Sequence, residues 1–297
     1  MRQLTAEQKQ EVCDLLARLV AIESVNRDYE TANRERAEER MAAFVTRHLQ
    51  QMGMQVEARQ FEPGRPNLIA HWPDQGGPGA GSLMLGAHMD TVTVDGMSVD
   101  PFTVAFRDGR AYGRGTCDTK GSIAAYLSAL AIARRENALP AEKIYFVATC
   151  AEETGCQGAS ALMRTGFRTD AAIVGEPTCC RVVTSHKGPL WLQVETHGRS
   201  CHASVPDQGV NAIDLMSRLV QFVHGPWQEY LQRRKHPLLG ESTMAVTRID
   251  GGAKINIIPA SCRAEMDGRF VPGLSMDEIV AEFRRMAATY LGSDERF

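Results

Sequence analysis

The stretch Ser82-Leu83-Met84-Leu85-Gly86-Ala87-His88-Met89-Asp90-Thr91 decides the fold of this chain. It begins with a run of apolar and small residues, which is typical of a central strand in an α/β sheet because such a strand is covered on both faces. His88 and Asp90 follow the run and lie on the same side of an extended backbone. This geometry suits a metal ligand and the carboxylate that orients it. Taken alone, the pattern is equally typical of a structural histidine.

The composition is that of a globular protein with two domains. The chain has 297 residues, of which 43% are hydrophobic and 23% charged, and this length is comfortable for two domains. The net charge of −3 argues against nucleic acid or an anionic membrane as a partner, since both require a basic surface. No apolar run is long enough to span a membrane, and no apolar signal segment opens the chain. The basic runs Arg134-Arg135 and Arg233-Arg234-Lys235 are interpreted as solvated helix faces.

The cysteines are mostly single, in a chain far too long for a disulfide-stapled miniprotein. We interpret them as reduced thiols and the protein as cytoplasmic.

Two further apolar strands run into acidic residues. The strand predicted at 142–149 leads to Glu152 and Glu153, and the strand predicted at 171–174 leads to Glu176. On extended backbone the two adjacent glutamate side chains diverge, so one can bind a metal while the other faces a reacting water. Because ligand sites in open α/β sheets lie beyond the carboxyl ends of the strands, these ends are expected to converge.

The helices predicted in this half are at 6–21, 31–52 and 122–135. Thr5 and Gln8 form a capping-box pattern before the first. Asp108-Gly109 between two short strands predicts a type I′ hairpin.

A glycine-rich segment, Gly113 to Gly121, precedes the third helix and contains Asp118. It matches neither the Walker spacing nor the dinucleotide fingerprint, so a phosphate site is a poor hypothesis. Asp118 is either a metal ligand or the N-cap of the helix.

The pattern of predicted helices and strands changes near residue 185. Strands are predicted at 190–196, 243–249 and 261–270, and helices at 211–230 and 276–290. The order suggests a small α+β domain with a four-stranded sheet. We therefore predict a metal-binding α/β domain over residues 1–184 and an α+β domain over residues 185–297.

Four side chains supply imidazole and carboxylate ligands of the kind that zinc accepts: His88, Asp118, Glu153 and Glu176. Asp118 is the natural carboxylate to bridge two ions. Glu152, beside a ligand, is the candidate general base. Zinc is the expected metal, one ion or two, with cobalt or manganese as alternatives.

Six segments in this order resemble the zinc-dependent amidohydrolase and peptidase family that contains acetylornithine deacetylase, succinyl-diaminopimelate desuccinylase, aminoacylase and carboxypeptidase G. The segments are Gly86 to Asp90, Gly113 to Gly121, Ala151 to Gly155, Val174 to Thr178, Gly198 to Pro206 and Gly251 to Pro259.

The resemblance implies a mixed-sheet catalytic domain and a smaller lid or dimerisation domain. It implies that His88, Asp118 and Glu176 bind one zinc ion, and that Asp118, Glu153 and a later histidine bind a second. Glu152 is then the general base and Asp90 the partner of His88.

The same resemblance implies a homodimer in which His202 of the lid domain reaches the partner's active site and stabilises the oxyanion. We predict that Asn256 and Arg269 contact the substrate carboxylate, with a surface salt bridge as the alternative for Arg269.

One departure from the family concerns its last metal-binding histidine, which lies in a C-terminal segment that returns to the catalytic domain. No histidine before Phe297 has that context. We expect a truncated form of a longer enzyme, with little activity by itself.

The expected function is metal-dependent removal of an acyl group from an N-acyl amino acid, with acetylornithine as the first candidate substrate. Desuccinylation and dipeptide or carboxypeptidase cleavage are close alternatives. A non-catalytic dimerising fragment is the alternative from another class, and Glu152 argues against it, because a binding module needs no base beside a metal ligand.

Overall fold

A computed structural model describes residues 3–29, 36–77 and 79–292. The chain forms two compact units, residues 1–180 and 181–297. Within the described ranges, no helix combines the length and apolar character needed to cross a membrane. The cysteines all lie in these ranges and are free thiols.

The helices of the first unit flank a sheet and are amphipathic where they meet it. They are α1 (Ala6–Val20), α2 (Ala37–Gln51), α3 (Lys120–Arg135) and α4 (Gln157–Arg164). The predicted capping box is confirmed at the start of α1, where the Thr5 hydroxyl accepts from the Gln8 N–H and the Gln8 side chain accepts from the Thr5 N–H. The first residues of the second predicted helix lie outside the described residues. The helix α4 was not predicted.

The strands of the first unit form a mixed sheet and a separate hairpin. They are β1 (Gln55–Glu62), β2 (Arg65–His71), β3 (Ser82–His88), β4 (Ala105–Arg107), β5 (Arg110–Tyr112), β6 (Lys143–Thr149) and β7 (Ala171–Val174). The sheet order is β1-β2-β6-β3-β7. The predicted hairpin turn is confirmed between β4 and β5, where Asp108 and Gly109 both have positive φ.

The strand β3 lies inside the sheet and pairs in parallel with β6 and with β7. His88 is paired with Thr149, and Gly86 with Val174. The carboxyl ends of the three strands therefore lie at one edge of the sheet, as the sequence predicts. The strand β2 is antiparallel to both its neighbours, which makes the sheet mixed.

The second unit is an α+β fold. Its elements are β8 (Gly188–His197), β9 (Cys201–His202), α5 (Ala212–Phe222), α6 (Gln228–Gln232), β10 (Lys235–His236), β11 (Gly240–Glu241), β12 (Thr243–Gly251), β13 (Ile257–Ile258), β14 (Ser261–Phe270) and α7 (Met276–Leu291). Alternate residues of β14 are buried, including Ala264 and Met266, and they form one core with the apolar residues of α5 and α7.

Two predictions for the second unit are wrong in detail. Its main sheet has three strands among the described residues, in the order β12-β14-β8, rather than four. The helix predicted at 211–230 is interrupted by a π-helical turn, Val223–Trp227, which contains Pro226.

Candidate metal centre

His88 ends β3 in a buried position, with 2% of its surface exposed. Its main chain is held by Thr119, whose hydroxyl accepts from the His88 N–H (3.1 Å) and donates to the His88 carbonyl oxygen (2.8 Å). The Nδ1 atom lies 2.9 Å from the carbonyl oxygen of Asp90. Because a carbonyl oxygen only accepts, Nδ1 carries a proton. The Nε2 atom is then the ring atom available to a metal. Sequence analysis did not identify Thr119.

Asp118 faces His88 from the loop before α3. Its Oδ1 lies 2.8 Å from His88 Nε2. The alternative of an N-cap is wrong, because Thr119 holds that position and no side chain caps the helix. One ligand atom each from His88, Asp118 and Glu153 lie within 4.8 Å of one another. Three of the four predicted metal ligands are therefore brought together.

Asp90 is fully buried and accepts hydrogen bonds from the backbone N–H groups of Glu152 (3.1 Å) and Glu153 (3.0 Å). It also accepts from the Asn26 side-chain amide (2.7 Å). Burial opposes ionisation, but the interaction with His88 and these donors outweigh it and keep the pKa of Asp90 below its usual value. One carboxylate thus fixes the backbone of both glutamates.

The glutamate pair does not continue an extended strand, so the predicted reason for its divergence is wrong. The backbone turns at Ala151, where φ is +53°. The Ala151 N–H donates to Glu38 Oε1 (2.8 Å), and Glu38 Oε2 accepts from Arg65 Nε (2.7 Å). The turn is therefore held by a buried ion pair.

A continuous polar network leads from this ion pair to the predicted metal site. Glu38 and Arg65 are only 2% and 1% exposed. Arg65 Nη2 donates to Asn26 Oδ1 (2.7 Å), and the Asn26 amide donates to Asp90. Sequence analysis missed Glu38, Arg65 and Asn26. A signal was present, because Glu38 lies on the same face of α2 as the buried Met41 and Ala42.

The two glutamates point in different directions. Glu152 Oε2 lies 3.8 Å from His88 Nε2, and Glu152 Oε1 accepts from the Cys156 thiol (3.3 Å). Glu153 Oε1 accepts from the backbone N–H of Val92 (3.2 Å). Each glutamate thus has one oxygen held by another group of the chain. We call His88, Asp90, Asp118, Glu152 and Glu153 the acidic centre.

The acidic centre contains four carboxyl groups and one basic side chain, that of His88. Burial lowers the basicity of His88, but hydrogen bonds to Asp118 and Asp90 and the nearby carboxylates outweigh it and raise its pKa to about 11. Burial and the carboxylates of Asp118, Glu152 and Asp90 raise the pKa of Glu153 to about 7. The positive charge of His88 opposes this rise. His88 and Glu153 thus hold their protons more tightly than usual in the absence of another cation.

The donor set fits a divalent metal ion. It consists of one imidazole nitrogen and several carboxylate oxygens, which zinc, cobalt and manganese accept. Burial and the hydrogen bond to Glu152 raise the pKa of Cys156 to about 12, so this neighbour stays a thiol.

Glu176 lies outside the 4.8 Å group but interacts with it electrostatically. Partial burial and the carboxylates of Glu152 and Asp118 raise the pKa of Glu176, although the charge of His88 opposes this rise. It follows Gly175, where an added Cβ would lie 2.4 Å from Ser122 Cβ. Only glycine allows β7 to end this close to α3.

The remaining predicted site residues lie in the second unit, where each is exposed. His202 is in β9, which pairs with β13, and its Nδ1 lies 2.7 Å from the Ser204 hydroxyl. The backbone carbonyl of Asn256 accepts from the Ala203 N–H (3.0 Å). Arg269 donates to Asp267 Oδ2 (3.0 Å), which is the surface salt bridge weighed as its alternative. We call residues 201–204 with 256–258 the His202 loop.

Comparison with known proteins places the chain in a family. The pattern of peptidase family M20/M25/M40 matches residues 84–296. The chain belongs to this family. The match begins inside β3 and includes every predicted site residue.

Members of the M20 family share much of the sequence. Acetylornithine deacetylase of Edwardsiella ictaluri is 34% identical over 254 residues, which are 82% of this chain and 64% of that protein. The enzyme of the same name from Proteus mirabilis is 32% identical over 273 residues, 90% of this chain and 68% of that protein. The chain thus spans about two thirds of the length of these relatives.

The fold is also that of the M20 family. An M20 metallo-carboxypeptidase of Sulfolobus solfataricus superposes with a TM-score of 0.76 at 17% identity, over 94% of this chain and 76% of that chain. At this identity the likeness shows the fold.

Proposed function

We propose that the protein is a zinc-dependent amide hydrolase that removes the acyl group from an N-acyl amino acid, with N-acetylornithine as the first substrate to test. One observation carries the proposal: the ligand atoms of His88, Asp118 and Glu153 lie within 4.8 Å of one another, and a further carboxylate, Glu152, faces them without being needed as a ligand. The names of the curated relatives support the substrate class.

In this proposal His88, Asp118 and Glu176 would hold one zinc ion, and Asp118 and Glu153 would contribute ligands to a second. Asp90 prepares His88 to bind a metal, because the Asp90 carbonyl oxygen keeps the proton on Nδ1 and leaves Nε2 for the metal. When bound, the metal supplies a Lewis acid that polarises the amide carbonyl and makes water more acidic.

Glu152 acts as the general base. Its Oε2, which lies on the side of His88 Nε2, takes a proton from the attacking water as the water oxygen bonds to the amide carbon. The same carboxyl then delivers the proton to the leaving nitrogen as the C–N bond breaks. The products are a carboxylate and a free amine. The Cys156 thiol holds Oε1 and so keeps Oε2 directed at the reaction.

His202 stabilises the oxyanion. Its Nδ1 accepts from the Ser204 N–H (3.2 Å), so the neutral ring carries its proton on Nε2 and can donate there. The proposal includes a homodimer formed through the second unit, in which His202 serves the partner's acidic centre. Asn256 and Arg269 bind the carboxylate of the substrate.

The test is hydrolysis of N-acetyl, N-succinyl and dipeptide substrates with zinc, cobalt or manganese added after chelation. We expect hydrolysis by this chain to be slow, to be fastest with N-acetylornithine and to require the metal. In Glu152→Gln the rate should fall about 100- to 10,000-fold, with bound zinc unchanged by atomic emission. Glu142→Gln, an exposed glutamate outside the acidic centre, is the matched control. Metal-independent hydrolysis, or a Glu152→Gln variant as active as this control, would refute the proposal.

A further inference from the structure

The second unit contains a cavity of about 470 Å³ whose lining includes none of the predicted substrate-binding residues. Its walls come from the end of the α5–α6 helical segment, the loop after β14 and the start of α7. The apolar part of the lining includes Trp227, Tyr230, Leu231, Phe270 and Leu274. The volume falls within the range of small-molecule sites, which are mostly apolar with a few polar groups.

Trp227, a residue of the cavity wall, carries a buried polar atom without a partner in the described part of the chain. The side chain is fully buried and lines the cavity, and its Nε1–H has no acceptor among the described residues. A buried donor without a partner destabilises the fold by about 1–3 kcal/mol, so such groups are rare and call for an explanation. An acceptor on a bound molecule is such an explanation.

The backbone around Trp227 is also unusual. The turn Val223–Trp227 is π-helical, between two α-helical segments. Single π-helical turns change the register of a helix and occur often at functional sites. Here the turn places Trp227 in the core, with its ring stacked on that of Tyr230 at 5.0 Å.

A basic wall completes the cavity. Arg233, Arg234 and Lys235 all line it. Lys235 is neutralised by Glu241 (2.6 Å), and the Arg234 guanidinium lies over the Tyr230 ring at 5.0 Å. Arg233 is exposed and forms no ion pair among the described residues. The basic run interpreted from the sequence as a solvated helix face thus borders an aromatic cavity, with one guanidinium free to bind an anion.

We infer that this cavity binds a small amphipathic anion, a carboxylate with an apolar or aromatic body. The body packs against Trp227, Tyr230 and Phe270, the anionic group pairs with Arg233, and an oxygen of the ligand accepts from Trp227 Nε1. The site is independent of the proposed hydrolysis and uses none of the residues assigned to it.

The probe is anilinonaphthalene sulfonate, an aromatic anion whose fluorescence rises in apolar sites, titrated into the whole protein and displaced with octanoate. We expect octanoate to displace the bound probe and octanol, which has the same chain without the charge, to fail. In Arg233→Gln and in Trp227→Phe, which removes the N–H and keeps an aromatic ring, the probe affinity should fall about five- to tenfold.

Two matched variants control the experiment. Arg284→Gln removes an exposed guanidinium of α7, and Trp191→Phe replaces an exposed tryptophan of β8, and neither residue lines the cavity. Both should bind the probe as the unmodified protein does. If Trp227→Phe melts at a lower temperature, Arg233→Gln alone decides, because its side chain is exposed. Unchanged affinity in Arg233→Gln, or an equal loss in Arg284→Gln, would overturn the inference.

Discussion

The acidic centre and the His202 loop are built in opposite ways. In the acidic centre, Asp90 is fully buried and is joined through Asn26 to the Glu38–Arg65 ion pair. In the His202 loop, the histidine is exposed, and its ring contacts only Ser204, two residues away, among the hydrogen bonds of the described residues. The side chains of the first region are held by distant parts of the chain, whereas the side chain of His202 is held only by its neighbour Ser204.

Because of this difference, substitutions in the acidic centre should affect stability, and substitutions in the His202 loop should affect catalysis. A change in the bracing of the acidic centre should unfold the protein or loosen its metal site, because buried groups lose their partners. A change in the His202 loop should leave the fold intact, because few contacts are lost. Four predictions test the contrast.

The largest expected effect is that of Arg65→Met. The substitution leaves Glu38 buried without its charged partner, which should lower the free energy of unfolding by about 3–5 kcal/mol. Chemical denaturation measures it. The matched control is Arg59→Met, which breaks an ion pair with Glu57 that is much more exposed. If the two variants lose equal stability, the network is not bracing the acidic centre.

The next effect is that of His202→Ala on catalysis. If His202 is the proposed oxyanion donor, its removal should lower kcat about 100- to 1,000-fold, while the melting temperature and zinc content stay as they were. Steady-state kinetics and thermal denaturation of the same preparation separate the two. A variant that loses stability together with activity would contradict a purely local role for the loop.

A smaller effect is the pH dependence of stabilisation by zinc. In the metal-free protein the raised pKa values, about 7 for Glu153 and about 11 for His88, mean that the folded state binds more protons than the unfolded state. The stabilisation from Glu153 is therefore lost as pH rises from about 5 to 7, and that from His88 is lost as pH rises above about 6.5. If zinc takes the place of these protons, the rise in melting temperature on adding zinc should grow by several degrees between about pH 5 and pH 7. Thermal denaturation in chelator and in zinc measures the difference, and a zinc effect that shrinks as pH rises would contradict it.

The smallest effect on stability is that of Arg269→Ala. Its salt bridge to Asp267 is at the surface, so the free energy of unfolding should change by no more than about 0.5 kcal/mol. If the guanidinium binds the substrate carboxylate, KM should rise about tenfold with kcat maintained. An unchanged KM would leave Arg269 with its salt bridge alone.

Much of the acidic centre could be predicted because its signals are local. His88 ends one apolar strand and Glu152 follows another, as Glu176 outside the centre follows a third, and parallel strands bring their carboxyl ends to one edge. The α/β character followed from the same runs, and the mixed sheet from the resemblance to the family.

The polar network that holds the acidic centre could not be predicted, because it joins residues that are far apart in the sequence. Glu38 and Ala151 are 113 residues apart, and Arg65 and Asn26 are 39 apart. The helix α4 was missed because it is short and begins after Cys156, a residue in the left-handed conformation. The turn at Ala151 was missed because an apolar strand pattern gives no sign of where the backbone leaves the strand.

The anchoring of positions 152 and 153 by Asp90 has a consequence for how this site can be altered. The bonds run to the peptide N–H groups, which every residue except proline possesses. The backbone of the turn is therefore held in the same way whichever side chains occupy the two positions. At position 153, the predicted ligand, an engineer could substitute cysteine or histidine for glutamate and vary the metal preference of the site without redesigning the turn that presents it.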